Sequence, residues 1–228
     1  MITLILLLYA LWLCYHHQTA ICTFFENIFR ILGILPKYPQ KISKEKLQEF
    51  PVKFYDGAVH LINTEEAAKK AVSVIMKETI LGFDTESKPA FSKGEKYLPS
   101  IVQVAIADGV YIFQLSKIRQ LKFLKAIFEC KTSLKVGIAI RDDVLKLRDI
   151  EHFNPVGFKD IGDLTKSLGI EQTGMRNLAG IFLKCRISKV AQVTDWSLEN
   201  LSTRQLIYAA TDAWISRELY LEVKRHIP

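Results

Sequence analysis

Along the 228-residue chain the spacing of apolar positions changes repeatedly, and each change marks an element. Residues 1–15 (MITLILLLYALWLCY) are almost unbroken apolar sequence, and a second apolar stretch covers 24–35. Pro36, Pro39 and the Lys-rich stretch 37–46 then predict a polar linker. Beyond it, Asn63-Thr64-Glu65-Glu66 predicts a helix start, with Ala67, Ala68, Ala71, Val72 and Ile75 forming an apolar face up to about residue 77. Residues 80–83 read as a short buried strand. The Val- and Ile-rich runs 100–107 and 109–115 meet at Asp108-Gly109, a dipeptide suited to a hairpin turn. The pattern then predicts a helix over 118–130, a buried strand over 134–140 and a helix from Asp142 to about residue 149. Helical spacing returns at 161–168, 176–183 and 203–224, and Ser202 with Gln205 forms a capping box for the last. Early strands with a hairpin, followed by alternating helices and a strand, predict an α/β fold around a mixed sheet. The expected division is 1–49, an apolar segment with its linker, and 50–228, the folded domain.

Composition changes this picture only a little. With 49% apolar and 24% charged residues, the chain can build one ordinary globular core and is not a disordered polymer. Lys and Arg number 31 against 24 Asp and Glu, a formal charge of +7. That excess suits a phosphate-rich partner, and it equally suits a basic surface kept for solubility. Cys14, Cys22, Cys130 and Cys185 show neither C-x-x-C spacing nor a nearby His in a zinc pattern, which favours reduced, mostly buried thiols. The run 1–15 is shorter than the roughly 18 to 20 residues of a spanning helix, and it lacks the basic start and small-residue cleavage site of a secretory signal. A signal anchor, a membrane-surface segment and an upstream extension all stay open. A soluble, cytoplasmic enzyme is expected, with membrane association through residues 1–35 as the alternative.

The candidate chemistry is acidic. Asp84 and Glu86 follow the strand at 80–83, and positions two apart on an extended chain point the same way. Acid-x-acid alone is weak, since composition supplies roughly two or three such pairs by chance. Placement beside a buried strand strengthens it, because adjacent like charges there need a compensating cation. In the helix after residue 140, Asp143, Leu147 and Ile150 share one stripe, whereas Asp142 lies on another with Lys146 and Asp149. Asp143 is therefore the acid expected to face inward, and Asp142 reads as a solvent-facing N-cap. In the last helix, Tyr208, Asp212, Ile215 and Leu219 fall on one face, and an aspartate in an apolar stripe requires a strong partner. The alternative for each aspartate is an ordinary capping or hydrogen-bonding role.

These segments together resemble the DEDD (DnaQ-like) superfamily of 3′-5′ exonucleases and, within it, the DEDDy branch that includes ribonuclease D and the exonuclease domain of the Werner syndrome protein. The resemblance spans about 52–223. It is carried by Phe83-Asp84-Thr85-Glu86, Ile101-Val102-Gln103, Val136-Gly137-Ile138, Asp195-Trp196-Ser197 and Leu206-Ile207-Tyr208-Ala209-Ala210-Thr211-Asp212-Ala213. A histidine branch would place its histidine at position 207, which is isoleucine here. The resemblance implies a ribonuclease H-like three-layer fold: a mixed five-stranded sheet, its second strand antiparallel, with helices on both faces. It implies hydrolysis of phosphodiester bonds of DNA or RNA from the 3′ end, releasing nucleoside 5′-monophosphates, with two divalent cations, Mg²⁺ or Mn²⁺. Asp84, Glu86 and Asp212 would hold the first ion. Asp84 would bridge to the second, completed by Asp143, and Tyr208 would orient the attacking water rather than remove its proton. Lys88, Lys93, Lys96 and Arg176 are candidate phosphate contacts, and Phe91, Tyr97 and Trp214 candidate base-stacking residues. Partner proteins or an oligomer are expected to help hold the substrate. A non-catalytic nucleic-acid-binding module and a membrane-tethered nuclease are the rival readings; the presence of all four acids speaks against the first.

Overall fold

The computed structural model of the protein describes residues 38–227 except 93, 119, 120 and 189, together with residues 24 and 28. The apolar stretches 1–15 and 24–35, apart from those two positions, lie outside the described residues, as does Lys93. The chain divides into two compact units, Met1–Gln40 and Lys41–Pro228. No helix of the described residues is long and apolar enough to cross a membrane.

The second unit begins where a linker was expected, and there the structure differs. Ser43 accepts a hydrogen bond from the amide of Lys46 and caps a short helix, α1 (Lys44–Glu49). Its apolar Leu47 turns inward. Next come β1 (Val59–Ile62), α2 (Glu65–Ile75), β2 (Ile80–Ser87), β3 (Pro99–Ala105) and β4 (Val110–Gln114). They are followed by α3 (Leu115–Ile118), α4 (Lys122–Phe128), β5 (Leu134–Gly137), α5 (Arg141–Ile150), β6 (Phe158–Asp160), α6 (Ile161–Lys166), α7 (Met175–Leu183) and α8 (Thr203–Lys224).

The strands form one six-stranded sheet in the order β1-β4-β3-β2-β5-β6. The β2–β3 and β3–β4 pairs are antiparallel, and β1–β4, β2–β5 and β5–β6 are parallel, so β3 alone runs against its neighbours. The expected mixed sheet is present with six strands instead of five. Its edges, β1 and β6, have four and three residues, too few for a period-2 pattern to stand out. The hairpin at Asp108-Gly109 joins β3 to β4 as the dipeptide predicts.

Helices cover both faces, as alternation along the central strands requires. On one side Phe83, Val102, Val104 and Phe113 pack with Ala68, Ala71 and Ile75 of α2, Leu124 and Phe128 of α4, and Leu147 of α5. On the other, Ile101, Ala105 and Ile112 meet Trp196 and the small residues Ala209, Ala210 and Ala213 of α8. The strand expected over 134–140 stops at Gly137, because Ala139 takes a left-handed backbone (φ 58). A non-glycine residue there carries strain, and the turn it makes delivers the chain into α5. Asp160 braces that turn by accepting from the amide of Ile140 at 3.2 Å while capping α6 through Gly162 at 2.8 Å.

Candidate active site

The strand expected over 80–83 continues to Ser87, so Asp84 and Glu86 stand on β2 itself, opposite Gln103 and Ile101 of β3. Alternation sends Gly82, Asp84 and Glu86 toward α8 and sends Phe83 and Thr85 to the other face. Gly82 permits the close packing of β2 on α8, because a Cβ there would collide with the carbonyl oxygen of Ala213. At the residue just before that contact, α8 presents Asp212. The result is a trio of half-buried Asp84, half-buried Glu86 and buried Asp212, whose nearest carboxylate oxygens all lie within 4.8 Å of one another.

The fourth acid is placed differently. Asp143 lies in the first turn of α5 and accepts a hydrogen bond from the Thr85 hydroxyl at 2.6 Å, outside the trio. Asp142 is exposed, as expected, but it is not the N-cap; that position is Ile140, which makes no side-chain cap. Ile150 is 39% exposed, so of the expected stripe Asp143 and Leu147 turn inward, joined by buried Val144. The last turn of α5 points that edge to solvent.

Like charges crowded into a partly dry site hold on to protons. Burial first, then the charges of Asp212, Glu86 and Asp143, holds Asp84 well above the ordinary carboxylate range. Burial and the neighbouring Asp212 and Asp143 push Glu86 up to about 9. Asp143 is also raised, chiefly by burial, with the Thr85 hydrogen bond working in the opposite direction. A divalent cation would reverse this penalty, and three convergent carboxylates are the oxygen donor set that a hard cation takes.

Tyr208 stands one helical turn before Asp212 and hydrogen-bonds to it. Burial, the acids around it and that bond push its phenol far above the usual range, so it is a neutral donor. Its ring lies 5.9 Å from buried Trp196. The turn carrying Trp196 is tied down from both ends. Asp195 accepts from the amide and hydroxyl of Ser197 at 2.8 and 2.6 Å, and Gln205 donates to the Asp195 carbonyl at 2.9 Å. Gln205 is also the capping-box partner of Ser202, so the start of α8 and the seat of Trp196 are built together.

Acids and tyrosine line a cleft of about 640 Å³, the size of a small-ligand site. Of the four lysine and arginine candidates, the structure brings Arg176, on α7, into its wall. Lys88 and Lys96 are exposed outside the lining, Lys88 resting over the Tyr97 ring at 5.5 Å. Phe91 is 82% exposed, and Trp214 packs against Tyr55 at 5.8 Å beside the α8 core. The wall also contains Lys44 and Gln48 of α1, which the linker reading passed over. Their signal was Ser43 before a Lys44–Leu47–Gln48 spacing of one helical face.

The family described as 3′-5′ exonuclease matches residues 59–228. This chain belongs to the 3′-5′ exonuclease family. A 3′-5′ exonuclease of Arabidopsis thaliana is 31% identical to this one, with 80% of this chain and 69% of that protein covered. Among solved structures, the Nibbler EXO domain of Aedes aegypti superposes with a TM-score of 0.68 at 22% identity, covering 77% of this exonuclease and 91% of that chain. RNase D of Escherichia coli gives 0.65 at 20%, covering 73% of this exonuclease and 45% of that chain. At these identities the structural likeness is one of fold, and the fold is the ribonuclease H-like one expected.

Proposed function

We propose that this exonuclease shortens nucleic acid from its 3′ end, with two divalent cations held by Asp84, Glu86, Asp212 and Asp143. The observation that carries the reading is the approach of Asp84, Glu86 and Asp212 to within 4.8 Å, with Tyr208 hydrogen-bonded to Asp212. Oxygen-only donors favour Mg²⁺ or Mn²⁺ over softer metals. Bound there, the cations would supply charge neutralisation and Lewis acidity at the phosphodiester. Glu86 and Asp212 would hold one ion, Asp84 would contribute to both, and Asp143, held by Thr85, would complete the second. Tyr208 donates a hydrogen bond to Asp212 while keeping its proton, which leaves its oxygen lone pairs to accept a hydrogen bond from the attacking water. The phenol thus aims the water without ionising. The water oxygen bonds to phosphorus and the P–O3′ bond breaks. The shortened strand keeps a 3′-hydroxyl, and the released nucleotide carries the 5′-phosphate. The fold neighbour from Escherichia coli is an exoribonuclease, so RNA belongs beside DNA among the substrates to be offered.

Oligonucleotides of DNA and RNA labelled at either end test this. With Mg²⁺ or Mn²⁺ the 3′ label is expected to appear first as a mononucleotide while the 5′ label shortens stepwise, and EDTA stops both. Cleavage that is insensitive to EDTA, or that begins at the 5′ end, would overturn the reading. Tyr208→Phe is expected to lower kcat roughly 10²-fold, because it removes the oxygen that orients the water and leaves the acids in place. Stabilisation by Mg²⁺ should survive in that variant, and thermal unfolding with and without the ion checks it.

A further inference from the structure

The family match begins at residue 59, yet one wall of the cleft is built from α1, upstream of it. The segment 41–53 is fastened along α7 and the chain on either side of it. Lys41 pairs with Glu171 at 2.6 Å, and the amide of Ile42 donates to Gln172 at 2.8 Å. Further on, Val52 bridges to Arg186, flanked by backbone hydrogen bonds between Lys53 and Arg186 and between Arg186 and Pro51. Between these ties, α1 lies against Gly180 so closely that a Cβ there would collide with Leu47. Glycine inside a helix is otherwise unfavourable, and here its lack of a side chain is what seats α1.

Seating Leu47 inward sets what α1 shows to the cleft. Lys44 and Gln48, one turn apart on the same face as Leu47, are exposed and line the cleft beside Asp84, Glu86 and Tyr208. Lys41 and Lys46 each hold a carboxylate, on Glu171 and Glu49 respectively. Lys44 has no ion pair among the described residues, and neither does Arg176, the other cation of the lining. A cleft floored by acids repels every phosphate of a strand, and cations at the metal positions offset that repulsion only around the scissile one. The neighbouring phosphates need fixed cations of their own.

We infer that α1 is part of the substrate-binding surface, with Lys44, helped by Gln48, holding a backbone phosphate of the strand other than the scissile one. This rests on the nuclease reading above. Lys44 is a positioning residue: it touches the strand away from the reacting bond and carries no part of the chemistry.

Two substrates separate its role from a structural one. A single-stranded oligonucleotide has flanking phosphates, whereas the 4-nitrophenyl ester of thymidine 5′-monophosphate has only the phosphate to be hydrolysed. In the full chain, Lys44→Ala is expected to raise KM for the oligonucleotide about tenfold at unchanged kcat, and to leave the chromogenic ester unaffected. The slope of log affinity against log salt should shrink by about one, as loss of one phosphate contact requires. Lys44→Arg should restore most of the loss, and Glu45→Ala, on the exposed side of α1, should match the unaltered chain. An unchanged KM in Lys44→Ala would overturn the inference, as would an equal loss on both substrates. If the unaltered chain cleaved neither substrate with Mg²⁺ or Mn²⁺, the nuclease reading itself would fall, a result distinct from both.

Discussion

Asp84→Asn is expected to lower turnover by about 10³-fold or more and, in EDTA, to make the protein more resistant to heat. The two effects share a cause. Asp84 is held well above its ordinary range, by burial and by the charges of Asp212, Glu86 and Asp143. The neutral amide keeps the side-chain shape and removes a like charge that the folded state must accommodate. Removing it also takes away the carboxylate proposed to serve both cations. Losing several kcal/mol of transition-state charge stabilisation corresponds to three decades in rate, at about 1.36 kcal/mol each. For a domain of this size each kcal/mol regained by the metal-free protein shifts its unfolding midpoint by roughly 2 to 4 °C. Measured Tm in EDTA should therefore be higher for Asp84→Asn than for the unaltered chain, and the order should invert when Mg²⁺ is added. Normal turnover in the variant, or a lower Tm in EDTA, would remove Asp84 from the proposed site.

The second large effect is a dependence of metal-free stability on pH that the metal cancels. Glu86 is pushed up to about 9 in the fold, from 4.5. A carboxyl raised on folding favours the folded state while it is protonated. Its contribution is therefore full below pH 4.5 and is lost as the pH rises toward 9. A single such group contributes at most about 1.4 kcal/mol per pH unit. In EDTA, Tm is expected to fall by several degrees between about pH 5.5 and 8.5. The Cys130 thiol, lowered to about 7 by the neighbouring hydroxyls of Ser133 and Thr132, works in the opposite direction above that pH. Comparison with Glu86→Gln isolates the carboxyl, and the variant should show the flatter curve. Mg²⁺ should stabilise most at high pH, where the carboxylates are free to bind it, by about 2.7 kcal/mol at 100 times its dissociation constant. Parallel curves for the unaltered chain and Glu86→Gln in EDTA would exclude Glu86 from the crowded site.

Parts of this site were legible because local rules govern them. Ser202 and Gln205 announce the start of α8, which the structure places at Thr203, and the four-residue step from Tyr208 to Asp212 puts both side chains on one face. The alternation that pairs Asp84 with Glu86 is equally local. Other parts were hidden because the pattern that would show them is too short or has no period. Two edge strands of three and four residues leave no alternation to count, and α1 looked like a Lys-rich linker because only Leu47 of its six residues turns inward. Lys135 shows the reverse. Its buried strand was legible, but the ammonium in it, donating at 2.9 Å to the carbonyls of Cys130 and Ser133, was not.

By itself, then, the amino-acid sequence determined the α/β order of elements, the acid pair of β2 and the tyrosine–aspartate face of α8, since each depends on residues within one or two turns. Tertiary structure alone decided that these pieces meet. The approach of Asp212 to Asp84 and Glu86 depends on the missing Cβ of Gly82 against the backbone of Ala213, a contact between positions far apart in the chain. The same holds for Asp143, set apart from the trio by the Thr85 hydroxyl, and for Lys44, carried into the cleft because α1 sits on Gly180. Periodicity reports which way a side chain faces within its own element; only packing between elements says what it faces.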